Sequence, residues 1–126
     1  MPQQKILVAD DDELLIGLLS HRLSVKGFEV LTANTGVEAL EAARAERPDL
    51  IVLDAMMPVM DGFAVLQNLK ADDQTRDLPV VMLTALRDEK NIVSALEDGA
   101  EDYLVKPFSP DELVSRINRT LKKLAA

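Results

Sequence analysis

"LIVLDAMMPVMDG", residues 50–62, holds the contrast on which the fold turns. Four consecutive apolar residues, Leu50 to Leu53, read as a strand covered on both faces, because a strand with one wet face alternates apolar and polar positions. The next residue is the ionisable Asp54, and the Met-Met-Pro loop after it offers no cation. A carboxylate at the mouth of a dry strand needs partners from other parts of the chain.

The same run recurs on either side. "ILVA" (6–9) and "VVML" (80–83) are continuous apolar runs, with "FEVLTA" (28–33) and "YLV" (103–105) as weaker strands. Between them lie segments of helical period: Glu13 to Lys26, Val37 to Glu46, Phe63 to Lys70, Glu89 to Glu97 and Asp111 to Leu124. Gly27 and Gly99 suit C-cap positions, and Pro48 stops the second helix. Leu14, Leu15, Leu18, Leu19 and Leu23 predict a broad apolar stripe on the first helix. Alternating strand and helix, five times over, predicts a (βα)5 α/β domain. It is a doubly wound parallel sheet with helices on both faces, three layers in all. Residues 1–126 read as one such domain, with no linker, repeat or low-complexity segment.

Composition narrows the chemistry. The chain has 126 residues, no cysteine, one histidine (His21) and a formal net charge of -8. Thiol chemistry, disulfides and His/Cys zinc sites are therefore out of reach. The negative charge disfavours direct nucleic-acid binding, which rests on Lys and Arg neutralising phosphates. No apolar stretch approaches bilayer length and no signal peptide opens the chain, so a cytoplasmic protein without membrane insertion is expected. His21 reads as a solvated helix residue.

The residues just past the strands carry the chemistry. Asp10, Asp11 and Asp12 come directly after "ILVA", Asp54 after "LIVL", Thr84 after "VVML" and Lys106 after "YLV". In a parallel sheet these C-terminal ends share one edge, where open α/β folds bind ligands. Carboxylates gathered there must be protonated, be separated or share a cation. An all-oxygen cluster suits Mg2+, which keeps waters and accepts phosphate oxygens. Lys106 and Thr84 could hold the other oxygens of a phosphoryl group. Asp12 reads as the cap of the first helix, and Asp61 before Gly62 as a turn or helix cap with Gly62 structural.

The blocks "ILVADDDELL", "LIVLDAMMPVMDGF", "VVMLTA" and "GAEDYLVKPF", in this order, resemble the receiver domain of bacterial two-component response regulators over essentially the whole chain. The resemblance implies sheet order 2-1-3-4-5 and a phosphorylation-driven switch. Asp54 would take a phosphoryl group from a sensor histidine kinase or histidine phosphotransfer protein. Asp10, Asp11, Asp54 and the backbone carbonyl of Met56 would hold Mg2+, and Thr84 and Lys106 would engage the phosphoryl oxygens. Tyr103 would swing inward as Thr84 shifts, and the Lys106 to Pro107 bond would be cis. Self-phosphorylation and self-dephosphorylation would be the limit of its catalysis.

By the same analogy Met56 and Leu86, both bulky and apolar, would shield the acyl phosphate from water. The resemblance also admits the symmetric, phosphorylation-dependent dimer of winged-helix transcription regulators, in which Asp102 would pair with Arg116 across a twofold axis, although Ile92 stands where that subfamily usually has Arg. An exposed Ile92 would suit an effector instead. The alternative is an N-terminal receiver cut from a longer regulator. A flavodoxin-type phosphate binder conflicts with "DDDE" after the first strand, and a dehalogenase-type phosphatase needs a second acid where Met56 stands. A receiver-like adaptor that no longer takes phosphate is disfavoured because the acid pair, acceptor, Thr and Lys are all present.

Overall fold

The computed structural model describes residues 3–85 and 89–125. The elements are β1 (Lys5–Ala9), α1 (Glu13–Val25), β2 (Glu29–Ala33), α2 (Gly36–Glu46), β3 (Leu50–Asp54), α3 (Gly62–Ala71), β4 (Val80–Thr84), α4 (Glu89–Glu97), β5 (Asp102–Val105) and α5 (Pro110–Ala125). The strands form one parallel sheet in the order β2-β1-β3-β4-β5.

The continuous apolar runs are split residue by residue between two cores, since successive strand side chains point to opposite faces. Leu7, Ala9, Ile51, Leu53, Val80 and Met82 face α2, α3 and α4. Ile6, Val8, Leu50, Val52, Val81 and Leu83 face α1 and α5. All twelve are fully buried. The double burial inferred from the runs is thus the three-layer architecture.

Local chemistry sets the helix ends. The Asp12 carboxylate accepts from the N–H groups of Leu14 and Leu15, and Asp61 caps α3 by accepting from Ala64 N–H. Gly27 and Gly99 follow α1 and α4 with φ of 97° and 109°, as the C-cap reading requires. Arg47 ends α2 in the same left-handed region (φ 46°), because the following Pro48 disfavours right-handed helix at that position. Its guanidinium is held by Gln74 O at 2.6 Å.

One expectation for α1 is corrected. Only Ile16, Leu19 and Leu23 are buried; Leu15 is half-buried, while Leu14 and Leu18 stand 87% and 53% exposed. Apolar residues encircle much of this helix, but the sheet covers a single side of it.

Val59, in the loop between β3 and α3, has φ 70° and a fully exposed side chain. A β-branched residue rarely adopts this region, where Asn and Gly are at ease. Since Val59 gives up no packing, Val59→Asn should raise the unfolding free energy by about 1 kcal/mol, measured by urea denaturation.

Candidate functional site

Strand register brings the polar residues together. Ala9 of β1 lies beside Leu53 of β3, so Asp10 stands level with Asp54, and Asp54 in turn lies beside Leu83 of β4. Thr84 lies beside Val105, one residue before Lys106. Backbone bonds fix the steps: Lys106 N–H donates to Thr84 O at 2.7 Å and Ala55 N–H to Leu83 O at 2.8 Å.

At this edge Lys106 Nζ lies 3.0 Å from Asp10 Oδ2 and 3.4 Å from Asp54 Oδ1. Asp10 is fully buried, Asp54 nearly so (3%), and Thr84 is buried with them. The second oxygen of Asp10 accepts from Asp12 N–H at 2.9 Å. The acidic doublet thus has a division of labour: Asp10 points inward and Asp11 stays exposed. One ligand oxygen from each of Asp10, Asp11 and Asp54 lies within 4.8 Å of the others, the one such acidic group among the described residues.

Charge and burial set the electrostatics. Burial is the largest effect on Asp54 and, with the neighbouring Asp10 carboxylate, pushes its pKa from 3.8 up to about 6. The Lys106 ammonium and the backbone N–H of Met56 act against that rise. For Lys106, burial pulls the pKa down, but the hydrogen bond to Asp10 and the charges of Asp54 and Asp10 outweigh it and raise it above the ordinary lysine value. Lys106 is therefore a permanent cation, while Asp54 is a carboxylate short of positive charge. Three carboxylates against one ammonium leave room for a hard divalent cation, and an all-oxygen donor set is what Mg2+ prefers.

Gly62 has a sharper role than its sequence context suggests. Its N–H donates to Ala55 O at 2.9 Å, and a Cβ built on it would lie 2.2 Å from Asp54 O and 2.7 Å from Ala55 Cα. The start of α3 thus presses against the backbone of Asp54. Gly36 does the same for α2 against Met60, with Met60 O 2.6 Å from its would-be Cβ. A glycine at a helix start beside a strand-end acid is the signal that could have shown this.

Other expectations fare variously. The Lys106–Pro107 peptide is cis. Tyr103 is buried (8%) and packs in the core under α4, so its side chain already lies inward. Met56 is 56% exposed beside the acid group, and Leu86 lies outside the described residues. Ile92, expected exposed, is half-buried and packs against the core. Asp102 reaches Arg116 at 2.8 Å and Arg119 at 2.9 Å within one chain. Burial raises its pKa, but Tyr103 N–H and the two guanidiniums more than offset this and hold it below the usual carboxylate value.

This fold, with an acid group and a lysine at the strand ends, defines a class: residues 6–118 match the response regulator receiver domain, and the chain belongs to that family. A phosphorylation-dependent signalling switch is the function of that class. Among its relatives, the chain is 46% identical over 124 residues to a probable transcriptional regulator, ycf27, of Porphyridium aerugineum, covering 98% of this chain and 50% of that protein. It is 46% identical over 120 residues to the alkaline phosphatase synthesis transcriptional regulatory protein PhoP of Bacillus subtilis, covering 95% of this chain and 49% of that protein. The chain spans about half the length of these curated relatives. Among solved structures, the receiver domain of the Francisella response regulator 1452 superimposes with a TM-score of 0.90 at 38% identity, covering 97% of this chain and 99% of that one. Among the described residues no helix is long and apolar enough to cross a membrane.

Proposed function

We propose that Asp54 is the phosphoacceptor, taking its phosphoryl group from the phosphohistidine of a sensor histidine kinase or a histidine phosphotransfer protein in the cytoplasm. The observation that carries this reading is the meeting of Asp10, Asp11 and Asp54 with Lys106 at one edge of the sheet. A carboxylate oxygen of Asp54 attacks phosphorus; the new O–P bond forms as the N–P bond of the donor breaks, and the imidazole leaves with a proton. Positioning and charge stabilisation supply most of the help such transfers need. Asp10, Asp11, Asp54 and the Met56 backbone carbonyl would hold Mg2+, which would supply positive charge toward the phosphoryl oxygens. Lys106, already 3.4 Å from Asp54, neutralises a phosphoryl oxygen on the other side, and Thr84 offers a hydroxyl. Thr84 and Tyr103 then carry the new charge state to the face made by α4 and β5.

Intact-mass analysis after incubation with acetyl phosphate tests this. One phosphoryl adduct is expected in the wild type with Mg2+. It should fall at least 100-fold with a chelator or in Asp54→Asn. An adduct of equal size in Asp54→Asn would place the acceptor elsewhere.

Met56, exposed beside the acceptor, is proposed to slow hydrolysis of the acyl phosphate by leaving water no hydrogen-bonding foothold. Met56→Asn should shorten the phosphorylated lifetime several-fold, followed by decay of the mass adduct; Leu86→Glu extends the test to the second position. An unchanged decay rate in both removes the idea. A phosphorylation-dependent dimer through Asp102 and Arg116 would require these residues to exchange their partners within the chain for partners across the axis.

A further inference from the structure

We propose that the Met56 side chain is an oxidant-sensitive modification site, whose conversion to the sulfoxide by a peroxide shortens the life of the phosphorylated form; the inference rests on the reading of Asp54 as phosphoacceptor. Peroxide is left to the thioethers of this chain, because it has no cysteine whose thiolate would react first. Exposure then selects among the methionines. Met82 is fully buried, Met57 nearly so (6%), and Met60 is half-buried against the core. Met56 stands 56% exposed, although its neighbour Met57 points inward. Among the described residues it is the one methionine with an exposed side chain.

Its place in the chain gives the modification a consequence. Met56 follows Asp54 by two residues, and its backbone N–H is hydrogen-bonded to the Asp54 carboxylate. Ala55 and Met57 on either side are buried, so the backbone is anchored and the side chain is kept at the mouth of the acid group. A thioether sulfur is a weak acceptor and gives water little to hold. The sulfoxide is polar, and its oxygen accepts a hydrogen bond from a water aimed at the phosphorus of the acyl phosphate. One added hydrogen bond of ordinary net strength corresponds to a rate increase of roughly three- to tenfold. Met56 belongs to neither core, so the new oxygen leaves the packing of the fold as it was.

The oxidation balances without any group of the protein. The sulfur lone pair attacks one oxygen of hydrogen peroxide, and the S–O bond forms as the O–O bond breaks. The proton of the attacked oxygen passes through water to the departing hydroxide, which leaves as water. Sulfur loses two electrons and the peroxide gains them. Sulfoxide reductases, one for each epimer, reverse the change. An oxidised chain is thus charged by its donor but discharges sooner, and reduction restores the longer signal.

The test oxidises the full chain with hydrogen peroxide, removes the peroxide with catalase, and phosphorylates with acetyl phosphate and Mg2+. The protein is then moved to donor-free buffer, where intact mass follows loss of the phosphoryl adduct. Peptide mapping should find an added oxygen on Met56 before Met57, Met60 or Met82. The oxidised wild type should lose its adduct roughly three- to tenfold faster than the untreated protein. Treatment with both sulfoxide reductases and a thiol reductant should restore the slower decay, and thermal unfolding should be the same before and after oxidation. Met56→Leu should decay at one rate with and without peroxide. Acceleration of Met56→Leu by peroxide as large as that of the wild type overturns the proposal, as does a faster decay accompanied by lost thermal stability, since the oxygen has then entered the core. An adduct that persists in Asp54→Asn overturns the acceptor reading and this inference with it. An adduct confined to Asp54, with Met56 oxidised and the decay unchanged, overturns this inference alone.

Discussion

Gly62→Ala is expected to lower the unfolding free energy by about 3 kcal/mol, the upper end of what overpacking costs a well-packed interior. The added methyl would sit 2.2 Å from Asp54 O and 2.7 Å from Ala55 Cα. Both are backbone atoms, so no side chain can rotate away to make room. Relief requires α3 to move off the end of β3, which also breaks the Gly62 N–H to Ala55 O bond. The matching control is Gly17→Ala in α1, where a Cβ meets nothing within 4 Å. That change should stabilise by about 0.5–1 kcal/mol, the helix propensity gain alone. Urea unfolding of both variants reads the contrast, and equal effects would mean that the approach of α3 to Asp54 is not close in solution. Where Gly62→Ala does fold, it should accept phosphate poorly if Asp54 is the acceptor as proposed, because the loop after Asp54 has been displaced.

The second large effect is a gain. Asp54 has a folded-state pKa of about 6 against 3.8 unfolded, so between these values the folded state binds more protons than the unfolded chain. Stability therefore falls as pH rises from 3.8 to 6, and the full penalty is present above that window. At 1.36 kcal/mol per pKa unit, the penalty at neutral pH is about 1–3 kcal/mol. Asp54→Asn removes the charge at nearly the same shape. In metal-free buffer it should be more stable than the wild type by that amount at pH 7.5, and the two should converge below pH 4. If the three acids hold Mg2+ as proposed, saturating Mg2+ should stabilise the wild type and close most of the gap, because such a cation would bind only the folded arrangement of the acids. Thermal unfolding at several pH values, with and without Mg2+, measures this. An Asn variant less stable than wild type at pH 7.5 without metal would show that Lys106 alone compensates Asp54.

How much of this was legible in the sequence depends on which physical signals are local. The strands "LIVL", "ILVA" and "VVML" announce themselves because burial on both faces demands unbroken apolar runs, and the acids, Thr84 and Lys106 are found by reading the next residue after each run. The caps at Asp12 and Asp61 are equally local. Coverage is not local. Leu14 and Leu18 carry the same apolar signal as Leu19 and Leu23, and only the sheet's position relative to α1 decides which pair is buried. The half-buried Ile92 departs from expectation for the same reason. The Asp102 ion pairs within the chain depend on how β5 lies beside α5, which no spacing reveals. The left-handed Val59 runs against its own propensity, so it could not be read at all.

Lys106 and the Asp10 it touches stand 96 residues apart in the chain. The acid pocket is therefore unfinished during most of synthesis: Asp10, Asp11 and Asp54 are all made before the ammonium that offsets them exists. A ribosome-bound chain or one clipped before β5 would hold the acids without the ammonium that lies against Asp10 and Asp54. Pairing of the last strand with β4 is the step that brings Lys106 to the acids, so the ion pair marks a sheet that has been closed from end to end.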